Sequence, residues 1–465
     1  MIGKALTEYA PGRQIVINKK TYRSGGVISA NVSLTDPDRA VPLFQRQLKT
    51  YVYCTQCTFV QDPFGAVNEL AYCPICNGKL AKADMIVPEV FTPEEGRAVD
   101  EFDRDQELPY ATSAQFPVPA GEDDLTNWFE IGLRGQYTYA ANRHLVIVNK
   151  GKKGTDSGFQ ICEKCGAAAT EGGGATQYTK HRRPYLVQWK NDKKREDCDG
   201  QYRTVFLGHT FLSDLLVIRM TLASPIALDI QSSIPRAVLN DGLRTISEAL
   251  LLAASRYLDL DPAEFSTGFR LVPGDMHEEI RADIYLFDTL SGGAGYSERA
   301  GQYLEEIINV ALEILEECPG HCSRSCTQCL RYYQNQHWHN DLDRFLGVAL
   351  LRYLLFDDIP CTDNLAAQGE VLRALGRLLT LDGYKCSSSF LNNGVSVPLL
   401  VKTEGRQLAI GIYHGILDKN AAEFSHPLYD YLNGYDEIDV ILINEYFLTR
   451  NLPGAYQFVK GKLGI

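Results

Sequence analysis

Alternating apolar and polar residues dominate the first part of the chain. After Gln14, β-branched and aromatic residues alternate with polar ones and are interrupted by a Gly-Gly pair, and the same pattern returns after Trp128. A period of two is typical of half-buried strands. The sequence therefore predicts that residues 1–50 are β structure and that residues 1–204 form a β-rich region.

The pattern changes at about residue 205. An apolar strand ends near Leu222, and a segment from Asp241 to Tyr257 carries apolar residues at helical spacing. This spacing predicts an amphipathic helix with Asp241 as its N-cap. Two strands follow, and a second amphipathic helix begins near Ser297. Strands that alternate with helices predict an α/β central domain over residues 205–361.

Residues 362–465 predict a small α/β domain, in the order helix, three strands, helix, strand, helix. This order resembles the restriction-endonuclease-like PD-(D/E)xK fold. The positions at which that resemblance implies acidic metal ligands hold uncharged residues, namely Pro398 or Leu399 and Gly411, Ile412 and Tyr413. A metal-dependent hydrolase needs carboxylates to hold its ion, so we expect a degenerate, inactive relative. The predicted fold class of the whole chain is α+β or mixed α/β.

Composition narrows the functional classes. The 465 residues suit about three domains, and a net charge of −12 argues against a uniformly basic nucleic-acid coat. The first residues lack the apolar core of a signal peptide, and no apolar run reaches membrane-spanning length. We therefore expect a cytoplasmic protein without a membrane partner. Because the cytosol keeps thiols reduced, the 13 cysteines are expected to bind metal rather than form disulfides.

Eleven cysteines fall into three clusters. The first cluster has two CxxC pairs, a spacing typical of a zinc ribbon closed by four sulfurs. Its predicted ligands are Cys54, Cys57, Cys73 and Cys76. The second cluster has one CxxC pair, formed by Cys162 and Cys165, with Cys198 as the best third ligand and His181 as the best fourth. For His181, a metal ligand and an ordinary surface histidine are equally supported.

The third cluster follows the helix that begins near Ser297 and has the spacing C-x3-C-x3-C-x2-C. Its predicted ligands are Cys318, Cys322, Cys326 and Cys329. Zinc is favoured because the other clusters predict zinc, although a four-thiolate iron–sulfur cluster has compatible spacing. The sequence thus predicts about three Zn²⁺ sites, each closed by four protein ligands and therefore structural.

Two groups of residues are candidates for nucleic-acid contact. Basic residues surround the second cluster and are suited to phosphates, although a solvated loop explains them as well. They are Lys150, Lys152, Lys153, Arg182 and Arg183. Arg331, Tyr332 and Trp338 follow the third cluster, where packing of a zinc lobe is favoured over base stacking. The glycine-rich turn at 291–295 is neither a P-loop nor GxGxxG, and a tight strand-to-helix turn is favoured over an anion site.

Together these motifs resemble the C-terminal module of MrfA-type DNA-repair helicases. This module is the MrfA-associated zinc-binding domain, which also occurs in the DrmB component of DISARM anti-phage systems. The resemblance covers roughly residues 1–355 and is most specific in 283–344, which includes DIYLFDTLSGGAGYSERA and CLRYYQN. It implies that the four cysteines of the third cluster are zinc ligands.

The sequence has neither a G-x-x-x-x-G-K-[ST] motif nor a DExH box, so no ATPase is predicted within it. The resemblance then implies a non-catalytic zinc-binding accessory subunit. It would act with a separately encoded helicase, contact DNA and the motor, and serve DNA repair or anti-phage defence. The alternatives are a metal-dependent nuclease that uses the C-terminal domain and an iron–sulfur protein that uses the third cysteine cluster.

Overall fold

The fold is described from a computed structural model of the chain. The description covers residues 2–34, 43–57, 59–61, 70–74, 76–94, 98, 109–111, 127–152, 156–169, 180–186, 197–273, 279–361, 364–390, 396–403, 406–432 and 437–463.

The N-terminal region is rich in strands, as predicted, but also contains two short helices. In chain order its elements are α1 (Ile2–Glu8), β1 (Gln14–Ile17), β2 (Lys20–Ile28), α2 (Leu43–Gln47), β3 (Leu48–Cys54), β4 (Leu80–Ile86), β5 (Val90–Pro93), β6 (Pro109–Ala111), β7 (Phe129–Ile131), β8 (Gly135–Lys152), β9 (Phe159–Cys162), β10 (His181–Arg182) and β11 (Asp197–Cys198). The prediction that residues 1–50 are all β structure is therefore wrong at α1 and α2. Leu6 of α1 and Ala10, just after the helix, are both buried in the core.

The central elements continue in chain order as β12 (Tyr202–Ala223), α3 (Ser233–Leu258), β13 (Phe265–Pro273), β14 (Glu279–Asp288), α4 (Tyr296–Gln302), α5 (Leu304–Glu316) and α6 (Arg344–Phe356). The predicted start of α3 is wrong, because the helix begins at Ser233 and Asp241 lies inside it. Asp241 is buried and accepts hydrogen bonds from Tyr446 and Arg450. The carboxylate that resembled an N-cap in the sequence therefore makes tertiary contacts instead.

A nine-stranded sheet joins the N-terminal and central regions. Its main path is β13-β14-β12-β4-β3, and β8 and β9 also pair with β12. The long strand β12 is antiparallel to β8 and β14, and its start is parallel to β4. The domain boundary predicted between residues 204 and 205 falls within β12 and stays a prediction.

Apolar layers cover both faces of this sheet. One core combines inward-facing strand residues such as Ile284 with Leu243 and Ile246 of α3 and Ile307 of α5. The core on the other face includes Leu6 and Tyr285. Because β12 is covered on both faces, nearly all of its residues from Val205 to Leu222 are buried or half-buried.

The C-terminal region contains α7 (Leu365–Leu381), β15 (Lys385–Phe390), β16 (Ser396–Thr403), β17 (Arg406–Tyr413), α8 (Lys419–Ser425), α9 (Pro427–Leu432), β18 (Ile438–Asn444), α10 (Glu445–Arg450) and α11 (Leu452–Leu463). Its sheet has the order β15-β16-β17-β18, and only the β17–β18 pair is parallel. The predicted mixed α/β fold class is confirmed.

The C-terminal region is attached to the central region by backbone hydrogen bonds. The N–H of Ala227 donates to the carbonyl of Ile416, and the N–H of Asp418 donates to the carbonyl of Pro225, each at 2.8 Å. Ile416 and Tyr413 also belong to the central apolar core. Within the described part of the chain, no helix combines the length and apolar character needed to cross a membrane.

Candidate metal centres

The first tetrad lies where β3 ends and β4 is about to begin. The Sγ atoms of Cys54 and Cys76 are 3.4 Å apart, as are those of Cys57 and Cys73. The ligand atoms of all four residues lie within 4.8 Å of one another. The backbone N–H of Gln56 donates to the Cys54 sulfur at 3.4 Å. The structure therefore brings together the four predicted ligands of the first cluster.

The second tetrad assembles from three separate strands. Cys162 ends β9, and the antiparallel pair β10–β11 places His181 directly opposite Cys198. The Sγ of Cys165 lies 3.2 Å from Nε2 of His181, and the sulfurs of Cys162 and Cys198 are 3.8 Å apart. All four ligand atoms again lie within 4.8 Å of one another. The pairing of β10 with β11 explains how a long insertion still yields a compact Cys3His group.

The central tetrad lies in the loop between α5 and α6. Its sulfur separations are 3.5 Å for Cys318–Cys326, 3.7 Å for Cys322–Cys329 and 3.8 Å for Cys326–Cys329. The backbone N–H of Cys326 donates to the Cys329 sulfur at 3.2 Å. A backbone donor aimed at a sulfur favours the thiolate form, which is the form that binds metal.

The geometry of all three groups fits a tetrahedral zinc ion. With a Zn–S distance of about 2.3 Å, tetrahedral ligands place sulfur atoms about 3.8 Å apart. The observed separations between paired sulfurs run from 3.4 to 3.8 Å. Each group supplies four thiol or imidazole donors, which fill a tetrahedral shell and leave no position for a substrate. Zinc bound at such sites would supply cross-links between chain segments.

Burial and hydrogen bonding shift the thiol pKa values in opposite directions. The backbone N–H of Cys322 holds the pKa of Cys318 down to about 6. Burial raises the pKa of Cys329 to about 12 and that of Cys76 to about 11. Because metal ligation requires thiolates, zinc binding to these loops must release protons from the buried thiols.

The basic residues near the second tetrad divide into inward-facing and exposed groups. Lys150 lies over the ring of Tyr53, with its Nζ 3.9 Å from the centroid, and pairs with Asp156 at 3.1 Å. Arg183 is buried and donates from Nη1 to the hydroxyl of Tyr185 at 3.3 Å. The other predicted contacts are Lys152 and Arg182, which are exposed, and Lys153, which lies outside the described residues.

The aromatic segment after the central tetrad packs against α3. The hydroxyl of Tyr332 donates to Oε2 of Glu248 at 2.9 Å, and Nδ2 of Asn335 donates to the same oxygen at 3.1 Å. The guanidinium of Arg244 lies 4.4 Å from the centroid of the Trp338 ring. The structure thus places Tyr332 and Trp338 in internal contacts, as the favoured packing interpretation expected.

Other residues of this segment are more accessible. Arg331 is half-buried and donates from Nε to the hydroxyl of Ser325 at 2.9 Å. Tyr333 is 67% exposed, so it is better placed than Tyr332 for an outside contact.

Sequence reasoning missed Arg244 and Glu248, which lie one helical turn apart on α3 and are both buried. The sequence feature that could have revealed this pair is an Arg and a Glu four positions apart in a largely apolar helix.

The glycine-rich turn before α4 is filled by the protein's own carboxylates. Asp288 accepts hydrogen bonds from the N–H groups of Ala294, Tyr296 and Ser297 at 2.7–3.1 Å. Asp214 accepts from the N–H of Gly295 at 3.0 Å. Two amides of the turn and the first two of α4 are therefore engaged internally, in agreement with a tight turn rather than an anion site.

Comparison with known proteins identifies the central region. The family model of the MrfA Zn-binding domain matches residues 246–330, which include all four cysteines of the central tetrad. Residues 246–330 form an MrfA-type Zn-binding domain. The predicted family is confirmed, over a shorter stretch than the 1–355 suggested by the sequence motifs. With this domain and the three tetrads, Zn²⁺ is the cofactor, at about three sites.

One curated relative matches nearly the whole chain. The Druantia protein DruE of Escherichia coli (strain UMEA 4076-1) is 42% identical over 462 residues, which are 99% of this chain and 24% of the relative. The chain thus spans about a quarter of the length of this relative.

Among solved structures, the crystal structure of the DUF1998 helicase MrfA bound to DNA matches 71% of this chain and 28% of its own chain. The identity is 11% and the TM-score is 0.29, so this likeness supports no conclusion about the fold.

Proposed function

We propose that this chain is a non-catalytic, zinc-stabilised accessory module of a DNA helicase. It contacts DNA and the motor and acts in the cytoplasm in DNA repair or anti-phage defence. The observation that carries the proposal is the MrfA-type Zn-binding domain, whose four thiolates leave no position open for a substrate. Within these 465 residues there is neither a P-loop nor a DExH box, so the motor is supplied from outside them.

The zinc ligands that we propose are the residues that converge in the three tetrads. They are Cys54, Cys57, Cys73 and Cys76 in the first, Cys162, Cys165, His181 and Cys198 in the second, and Cys318, Cys322, Cys326 and Cys329 in the central one. The spacing of Sγ and Nε2 atoms supports the assignment. None of the 13 cysteines forms a disulfide, which suits a reducing compartment.

The C-terminal domain is proposed to be a non-catalytic, restriction-endonuclease-like domain. Gly411 occupies a position at which an active relative would carry an acidic ligand. A Cβ atom there would lie 2.7 Å from Cδ1 of Leu428 and 2.9 Å from Cε1 of His426. No carboxylate side chain fits at Gly411 without displacing these neighbours, which supports a docking role over metal-dependent cleavage.

The DNA contacts that we propose are the more accessible members of the predicted set together with one neighbouring residue, Tyr333. Lys152 and Arg182 are suited to phosphates, and Arg331 together with the exposed Tyr333 is suited to an unpaired base. Trp338, Tyr332 and Arg183 are proposed to support these surfaces from within rather than to contact DNA.

Metal analysis of the purified protein tests the central part of this proposal. We expect about three zinc ions per chain and no visible absorbance, because Zn²⁺ is d¹⁰. Iron with a brown colour would support the iron–sulfur alternative and contradict the zinc assignment. Cleavage of DNA with magnesium or manganese, abolished by Glu370→Gln, would support the nuclease alternative. Glu423→Gln, on the neighbouring helix α8, is the matched control.

Association with a motor needs its own experiment. We expect the tagged chain to co-purify with a separately encoded helicase when the two are expressed together. We further expect it to increase the affinity of that helicase for single-stranded DNA. If the natural chain is longer and carries the motor itself, the separate-subunit arrangement is wrong and the accessory role of these residues still holds. No association and no effect on DNA affinity would contradict the accessory role.

A further inference from the structure

Arg344, in the first turn of α6, makes hydrogen bonds to the loop of the central tetrad. Arg344 donates from Nε to the carbonyl of Cys322 at 3.1 Å, and its backbone N–H donates to the carbonyl of Arg324 at 2.9 Å. Its Nη1 donates to the carbonyls of Leu315 and Glu316 at the end of α5, each at 3.0 Å. The tetrad loop, the end of α5 and the start of α6 therefore form one hydrogen-bonded unit.

A second arginine connects the same loop to the turn before α6. Arg324, between two of the cysteines, donates from Nη2 to the carbonyl of Asn340 and lies 3.4 Å from Asp343, measured from Nε to Oδ2. Asp343 is also the N-cap of α6 and accepts from the N–H of Phe345 at 3.2 Å. The positions of Asn340 and Asp343 therefore depend on the tetrad loop.

The C-terminal domain contacts these two residues from the other side. Arg450, at the end of α10, donates from Nη1 to the carbonyl of Asn340 at 2.6 Å, and its Nη2 lies 4.0 Å from Oδ2 of Asp343. The same Nη2 donates to Oδ2 of Asp241 on α3 at 2.8 Å. The hydroxyl of Tyr446 donates to this Asp241 oxygen at 2.9 Å.

Two guanidinium groups thus share one carbonyl and one carboxylate. Arg324 and Arg450 are both cationic and donate to the same Asn340 carbonyl, so the two groups repel each other. Such an arrangement is stable only while its shared acceptors stay in place. A tetrad loop without metal loses the cross-link that fixes Arg324, so we expect its hold on Asn340 and Asp343 to weaken.

We propose that zinc occupancy of the central tetrad sets how firmly the C-terminal domain is held on the central domain. The connection runs from the tetrad loop through Arg324 to Asn340 and Asp343, and from there to Arg450 on α10. This inference rests on the zinc assignment in the proposed function. The first tetrad provides a contrast, because it lies on β3 and β4, at the opposite edge of the nine-stranded sheet from β13.

The test combines a zinc count with amide hydrogen exchange measured across α10. Cys326→Ser removes a ligand of the central tetrad, and Cys76→Ser is the matched control in the first tetrad. We expect each variant to lose about one zinc per chain. Only Cys326→Ser is expected to accelerate exchange in α10, by about fivefold or more.

Arg324→Gln separates the connection from the metal itself, because it leaves all four cysteines in place. We expect a normal zinc count together with faster exchange in α10. Arg373→Gln, an exposed arginine paired with Glu370 on α7, is the matched control and should leave α10 unchanged. If Cys326→Ser fails to fold, as judged by far-UV circular dichroism, Arg324→Gln decides the question.

One result would contradict the coupling between the tetrad and α10, and another would contradict the zinc assignment itself. A lost zinc in Cys326→Ser with wild-type exchange in α10 would refute the coupling and leave the zinc assignment intact. An unchanged zinc count in Cys326→Ser would refute the assignment of Cys326 as a ligand, and with it the basis of the coupling.

Discussion

The first and central tetrads have the same four-thiolate composition but different surroundings. Cys54, Cys57 and Cys73 form a small apolar cluster of their own with Phe59. By contrast, the buried cysteines of the central tetrad belong to the large core that also contains α3, α5 and α6. The ligand set therefore predicts the metal, whereas the packing around it determines which part of the fold depends on that metal.

The polar contacts differ in the same way. Behind the central tetrad, the buried Glu248 accepts hydrogen bonds from Tyr332 and Asn335, and the buried Arg244 lies against Trp338. A fully satisfied buried network is worth more than its separate bonds suggest and fixes the position of the segment that carries it. We therefore expect loss of the central metal to affect the whole central domain and loss of the first metal to remain local.

The largest effect is expected when one ligand is removed from each tetrad in turn. Cys329→Ser should lower the free energy of unfolding by about 5 kcal/mol or more, because binding of structural zinc contributes directly to folding. Cys57→Ser should change the same transition by less than about 1 kcal/mol, because only the ribbon loses its cross-link. Urea unfolding followed by tryptophan fluorescence measures both. Equal losses in the two variants would show that the surroundings do not matter.

Removing the carboxylate behind the central tetrad tests the polar network directly. Glu248→Ala removes the buried carboxylate that accepts from Tyr332 and Asn335 and that faces Arg244, and it should cost about 3–5 kcal/mol in unfolding free energy. The control is Glu306→Ala, an exposed position on α5 that should change stability by less than about 0.5 kcal/mol. Urea unfolding provides the measurement. A loss below about 1 kcal/mol for Glu248→Ala would mean that the network does not stabilise the segment after the central tetrad.

Local spacing explains why most of the three tetrads was predictable. A CxxC pair fixes two sulfurs on one turn, so the clusters of the first and central tetrads follow from sequence distance alone. The second tetrad was harder, because His181 and Cys198 meet only through the pairing of β10 with β11. The long β12 was also predictable as an apolar run, and α5 was predictable from the helical spacing of its apolar residues.

Tertiary contacts account for what the sequence did not predict. Asp241 resembles an N-cap, but its partners Tyr446 and Arg450 lie more than two hundred positions away along the chain. In the same way, an aromatic followed by polar residues suits both base stacking and packing. Its hydrogen bond to Glu248, which lies on α3, places Tyr332 inside the protein. Contacts of such long range leave no local periodicity to detect.

The second tetrad is expected to show an effect of intermediate size on stability, because a glycine lies against its sulfurs. A Cβ atom at Gly200 would lie 2.5 Å from the Cys162 sulfur and 2.6 Å from Cβ of Lys164. Gly200→Ala should therefore lower the zinc count by about one and destabilise the protein by about 1–3 kcal/mol. Gly461→Ala is the control, since no atom lies near its Cβ position and alanine favours helices. A normal zinc count in Gly200→Ala would contradict the packed geometry of this site.

The smallest effect separates two adjacent arginines of the second tetrad. Arg183 is buried beside Tyr185, so Arg183→Gln should cost about 1.5 kcal/mol in unfolding free energy. Arg182 is exposed, so Arg182→Gln should leave stability within about 0.5 kcal/mol. If Arg182 contacts a phosphate, its removal should reduce the slope of log affinity against log salt by about 1. DNA binding titrated at several salt concentrations measures this slope. A reduced slope in Arg183→Gln with an unchanged slope in Arg182→Gln would reverse the assignment, because the buried residue would then be the one that reaches DNA.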